Sequence, residues 1–128
     1  MNTGIKGVQT EVVSEDKTAK SMGSGELKVY ATPSMIALME KTAYISVASE
    51  LEEGQGTVGT LINVKHLAAT PLGMEVKCES ELVEVDGRRL VFDVKVYDET
   101  GLIGEGTHER FIIFNEKFQS KADTKLSK

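Results

Sequence analysis

The 128-residue chain contains one cysteine, Cys78, no tryptophan and only two prolines. A single thiol cannot build an internal disulfide framework and supplies no cluster of soft metal ligands, which fits a reducing, cytoplasmic setting. Aromatic residues are only 5% of the chain, too few for a base-stacking platform. Basic residues are also in the minority: 15 Lys and Arg against 20 Asp and Glu give a net charge of −5. Neutralising nucleic-acid phosphates requires a concentrated basic face, so no nucleic-acid partner is expected. No apolar run is long enough for a membrane span, and MNTGIKGVQTEVVSEDK does not open as a signal peptide does, so neither is expected. What is present, 40% hydrophobic and 27% charged residues, suits one domain over 1–128 with a real core.

Periodicity divides that domain. Val8, Thr10 and Val12 alternate with Gln9, Glu11 and Val13 in a first strand, and the small polar stretch 17–28 reads as a loop. Residues 33–50 form the central helix, opened by Thr32-Pro33 and ended at Glu52-Glu53-Gly54. From 56 to 114 the period is two. Strands at 56–68, 74–85, 89–98 and 102–114 form an antiparallel meander, with turns at Asp86-Gly87 and Thr100-Gly101. The tail 115–128 is polar and reads as frayed or solvated. The helix is apolar nearly all round, which predicts burial on most sides and an α+β layout, a sheet curled around one helix.

Within that apolar helix Glu40 is out of place. Its i±3 and i±4 neighbours are Ile36, Ala37, Ala43 and Tyr44, and none can pair with a charge, although Tyr44 could donate a hydrogen bond. It is either an exposed charge on a surface helix or a buried carboxylate of raised pKa, fit to be a base or nucleophile. Thr32 is either a helix cap or a hydroxyl nucleophile or donor. His66 ends a strand in HLAATPLG and is either structural or catalytic. His108 and Arg110 share one face of the last strand, an arrangement common in salt-linked sheet surfaces. Gly-Glu-Gly at 104–106 opens no helix and is no phosphate loop, and no cofactor is implied.

Taken together, TPSMIALME, GTVGTLINVKHLAATPLG, EVDGRRL and GEGTHERFII, in this order and spacing, resemble the hot-dog-fold acyl-CoA thioesterases, in particular the fluoroacetyl-CoA thioesterase-like subfamily. The resemblance covers residues 29–118. It implies one long helix wrapped by about five antiparallel strands, a homodimer with sites at the subunit interface, and an acyl-CoA substrate. It also implies catalytic roles for Thr32, Glu40 and His66, a backbone N–H of Gly59 that polarises the thioester carbonyl, and Arg110 lining the site. The longer, aromatic-rich lid of the fluoroacetyl-specific enzyme is replaced here by TAKSMGSGELKVY, whose only ring is Tyr30. The resemblance therefore implies a broader short-chain acyl-CoA hydrolase. A non-catalytic acyl-CoA-binding protein is the alternative. Hot-dog dehydratases place an Asp and a His a few residues apart at a helix start, and in this sequence no His stands within a few residues of the helix start.

The resemblance meets a geometric constraint. Eight residues at about 1.5 Å each separate Thr32 and Glu40 by roughly 12 Å along a straight helix. Both cannot touch one carbonyl carbon from one straight helix, so either the chain bends between them or each site takes Thr32 and Glu40 from different subunits, and the shared site is the expectation.

Overall fold

The computed structural model describes residues 1–127. Five strands form one antiparallel sheet: β1 (Lys6–Val12), β2 (Gln55–His66), β3 (Glu75–Asp86), β4 (Arg89–Asp98) and β5 (Gly101–Phe114). Three α-helices accompany them: α1 (Ala19–Met22), α2 (Thr32–Val47) and α3 (Asn115–Asp123). The sheet curls around α2, which is the expected hot-dog arrangement.

In β3 and β4 alternation does what period two predicts. Val76, Cys78, Ser80 and Leu82 of β3, with Leu90, Phe92, Val94 and Val96 of β4, are all buried on one face. Their hairpin closes where Asp86 pairs with Arg89, with Gly87 at φ +61° in the turn. On α2 the buried stripe is Met35, Leu38, Met39, Thr42, Ala43 and Val47, at three- and four-residue spacing. These side chains and the strand residues make one core cluster.

Several expectations change. The sheet order is β1-β3-β4-β5-β2, so β3, β4 and β5 form the meander while β2 lies beyond β5. The segment between β2 and β3 is too long and too tied for a hairpin: Tyr30 N–H donates to Thr70 O at 2.8 Å, and the Thr70 hydroxyl donates to Asp98 at 2.7 Å. In β1 the apolar members Val8 and Val12 face outward. Gly7 instead faces α2, where a Cβ would stand 2.8 Å from Ser46 Cβ, so only glycine lets this strand approach the helix. The 17–28 stretch is more ordered than a plain loop. Thr18 caps α1 by accepting from Ser21 N–H, and Gly23 ends it at φ +73°. The polar tail is helical, anchored where Asn115 N–H donates to Gly54 O at 2.9 Å, although it stays exposed throughout.

Helix α2 is not buried on most sides. Its second face carries Ala37, Tyr44 and Ile45 exposed to solvent in the single chain. Apolar side chains there have no intrachain cover.

Candidate active site

Thr32 is not the cap. Ala31 holds the N-cap position and makes no side-chain bond, while Thr32 is the first helical residue. Its hydroxyl is turned toward the end of β2, where Thr32 Oγ1 and His66 Nδ1 lie 2.7 Å apart. Burial pulls the His66 pKa below its usual 6.5, which favours the neutral ring at pH 7. With Thr32 donating, Nδ1 accepts and Nε2 carries the ring proton. That Nε2 is buried and has no hydrogen-bond partner among the described residues. Around the pair lies an open cleft of about 330 Å³, whose walls include Ala19, Ser24, Val29, Tyr30, Ala68 and Ala69.

Glu40 sits elsewhere, two turns further along α2. Its carboxylate is 3.4 Å from Arg110 Nη1, a partner 70 residues away on β5. The side chain is 41% exposed in the single chain, so the carboxylate is neither sealed in the core nor an ordinary surface charge. Arg110 is buried and fully engaged. Its Nε donates to Thr57 Oγ1 at 2.8 Å, its Nη2 donates to Thr57 O at 2.9 Å, and the guanidinium lies 5.7 Å from the Tyr44 ring centre. Burial lowers the Arg110 pKa and the Glu40 carboxylate partly restores it. The group stays cationic at neutral pH. Gly59 stands directly under Glu40, on the strand register opposite Arg110 and beside a bulge between Gly59 and Leu61.

His108 belongs to this cluster and is not a sheet-surface residue. It is fully buried and stacked against Phe92. Leu61 O lies 2.8 Å from His108 Nδ1, and a carbonyl can only accept, so Nδ1 carries the proton. Nε2 is then the acceptor facing Arg110 Nη1 at 3.3 Å. Burial, helped by the Arg110 charge, lowers the His108 pKa and keeps the ring neutral. Thr57, Tyr44 and His108 thus brace Arg110. The even spacing of His108 and Arg110 was the available signal for one of them, and Tyr44 was marked as the helix neighbour of Glu40 able to donate a hydrogen bond; Thr57 carried none.

The predicted residues therefore fall into two groups on one chain, Thr32 with His66 and Glu40 with Gly59 and Arg110. A hydroxyl bonded to a neutral imidazole can serve as nucleophile or proton donor. A carboxylate beside a fixed guanidinium and an unobstructed strand backbone can serve as base or nucleophile next to a polarised carbonyl.

A profile described as the fluoroacetyl-CoA-specific thioesterase family matches residues 13–116. The chain belongs to this family. A fluoroacetyl-CoA thioesterase of Streptantibioticus cattleyicolor is 46% identical over 98 residues, covering 77% of this chain and 70% of that one. The solved structure of the fluoroacetyl-CoA thioesterase FlK superposes with a TM-score of 0.92 at 40% identity, covering 98% of this chain and 97% of the other. A point mutant of FlK in complex with acetyl-CoA gives 0.93 at 38% identity, with 98% of each chain covered. Membership makes this chain a thioesterase by family, and no helix among the described residues is long and apolar enough to cross a membrane.

Proposed function

We propose that this protein hydrolyses short-chain acyl-CoA thioesters to the free acid and CoA, as a homodimer in which each site draws on both subunits. The division of the five residues into two groups carries the reading. Thr32 bonds His66 while Glu40 lies against Arg110 and Gly59, and α2 holds the two groups roughly 12 Å apart along its axis. A second copy is the economical way to complete each half.

The free edge of β2 supports that assembly. Among the described residues only β5 pairs with it, and exposed Tyr44, Ile45 and Leu61 lie on α2 and β2. Antiparallel pairing of two β2 edges about a dyad at Asn63 would set His66 opposite Gly59 of the partner subunit, since with the bulge between Gly59 and Leu61 each lies three ladder positions from Asn63. In the composite site Gly59 N–H polarises the thioester carbonyl, and Glu40 attacks it or activates water. Thr32 and His66 pass a proton to the leaving thiolate. The cleft of about 330 Å³ beside Thr32, walled largely by small side chains, favours a short acyl group. A cytoplasmic setting is supported by the lone thiol, Cys78, which burial pushes up to about 11 and so keeps protonated.

The test is CoA thiol release from acetyl-, fluoroacetyl-, butyryl-, hexanoyl- and lauroyl-CoA by wild type and Glu40→Gln. Wild type should act fastest on the shortest esters, and the Gln variant should lose roughly 10²- to 10⁴-fold. Unchanged release by the variant would sink the role of Glu40. Binding without release by wild type would leave a non-catalytic acyl-CoA-binding protein.

A further inference from the structure

His108 touches every part of the Glu40 half of the site. It is fully buried and stacked on Phe92 with ring centres 6.2 Å apart, so the plane of its imidazole is fixed. One ring nitrogen, Nδ1, donates to Leu61 O at 2.8 Å. Leu61 closes the bulge that begins at Gly59, and Thr60 between them drops out of the register with β5. The other nitrogen, Nε2, accepts from Arg110 Nη1 at 3.3 Å. The ring carbon between the two nitrogens faces Gly59, where a Cβ would stand 3.3 Å from it.

The Glu40–Arg110 pair beside this ring is loose. A guanidinium free to turn closes on a carboxylate through two parallel bonds at about 2.7–2.9 Å. Here the contact is single and 3.4 Å long. Both edges that could make a two-point pair include Nη2, and Nη2 is already spent on Thr57 O, as Nε is on Thr57 Oγ1. His108 then draws on Nη1, the nitrogen that faces Glu40. The guanidinium is pinned at all three nitrogens and cannot swing onto the carboxylate.

We propose that His108 is a positioning residue: its Nε2 lone pair holds Arg110 back from Glu40, while its Nδ1 bond fixes the bulge that starts at Gly59. The role rests on the thioesterase reading above and adds what keeps Glu40 available. A carboxylate locked into a short two-point pair has its lone pairs committed, and has less to offer a carbonyl or a water. Histidine suits the task because a neutral imidazole donates from one nitrogen and accepts at the other.

Acetyl-CoA turnover by His108→Leu and His108→Gln separates positioning from packing. Leucine fills the space without an acceptor, whereas the carboxamide oxygen of glutamine can stand in for Nε2. In the Leu variant kcat should fall at least about 100-fold with KM within about threefold, because the loss falls on the reacting group and not on substrate binding. The Gln variant should recover to within about tenfold of wild type. Crystal structures give a readout independent of turnover. Arg110 Nη1 should close to about 2.8 Å from Glu40 in the Leu variant and keep its longer contact in the Gln variant. Nitrogen NMR of wild type should find His108 protonated at Nδ1 and bare at Nε2, which decides the matter if the Leu variant does not fold. Equal kcat losses in the two variants, an Arg110–Glu40 contact that leucine leaves unchanged, or a proton on Nε2 each overturn the proposal. Should wild type release no thiol while Arg110 still closes on Glu40 in the Leu variant, the thioesterase reading falls and the hold of His108 on Arg110 stands.

Discussion

A Cβ added at Gly59 would lie 2.6 Å from Glu40 Oε2, 3.3 Å from His108 Cε1 and 3.4 Å from Arg110 Nη1. The closest of these atoms is the end of a flexible side chain, so the fold can absorb a methyl group by moving Glu40. The site cannot, because a displacement of about 1 Å at a reacting group costs on the order of 100-fold in rate. Gly59→Ala should therefore lower kcat/KM by about that factor with thermal stability nearly unchanged. Circular dichroism melts beside acetyl-CoA turnover check it, and a variant of wild-type activity would remove Gly59 from the site. At this scale much was readable beforehand. Glu40 was conspicuous because its helix neighbours are apolar, and the structure gives that anomaly a cause in Arg110. Their pairing left no local pattern, since the contact spans 70 residues, and only the family resemblance put Arg110 in the same site. Thr32-Pro33 misled for the opposite reason: capping chemistry is local and common, but the hydroxyl is committed to His66 at 2.7 Å. His108 reads as surface in a strand of alternating polarity, and only its place under α2, against Phe92, makes it an interior brace.

Elements divide along similar lines. Strands β3, β4 and β5 were readable because each buries one face and period two records that directly. The position of β2 was not, because strand order depends on how the 67–74 segment is tied across Tyr30 and Asp98 rather than on alternation. Helix α3 escaped because it has no buried face for a 3.6-residue period to mark. The solvent side of α2 taught the reverse lesson, since apolar periodicity there records a surface that the single chain leaves open. The same holds for β2, an edge of 12 residues whose outward N–H groups have no strand partner among the described residues. A long unpaired edge of that kind is a liability unless covered. In solution, the β2 amides not bonded to β5 should exchange hydrogen as slowly as the interior of β4, which is flanked on both sides. Fast exchange along that edge at assay concentrations would argue against β2–β2 pairing.

For the whole molecule, the decisive property is that α2 holds Thr32 with His66 and Glu40 with Arg110 as two separate groups, so the proposed catalytic set is not assembled on one chain. If Thr32 and His66 of one subunit face Glu40 and Gly59 of the other, a dimer holds two equivalent composite sites. Thr32→Ala and Glu40→Ala homodimers are then each inactive, because every site lacks one member. After subunits exchange in an equal mixture, half of the dimers are mixed. In each mixed dimer one site carries both defects and the other carries none. Activity should return to about a quarter of the wild-type value, one working site in two among half of the dimers. Sites contained within one chain predict no recovery at any mixing ratio. Exchange must be followed independently, for instance by native mass spectrometry of an isotope-labelled partner. Recovery to about a quarter with exchange complete identifies shared sites. Complete exchange with no recovery would require α2 to bend so that Thr32 and Glu40 meet on one chain, against its continuous helical course from Thr32 to Val47.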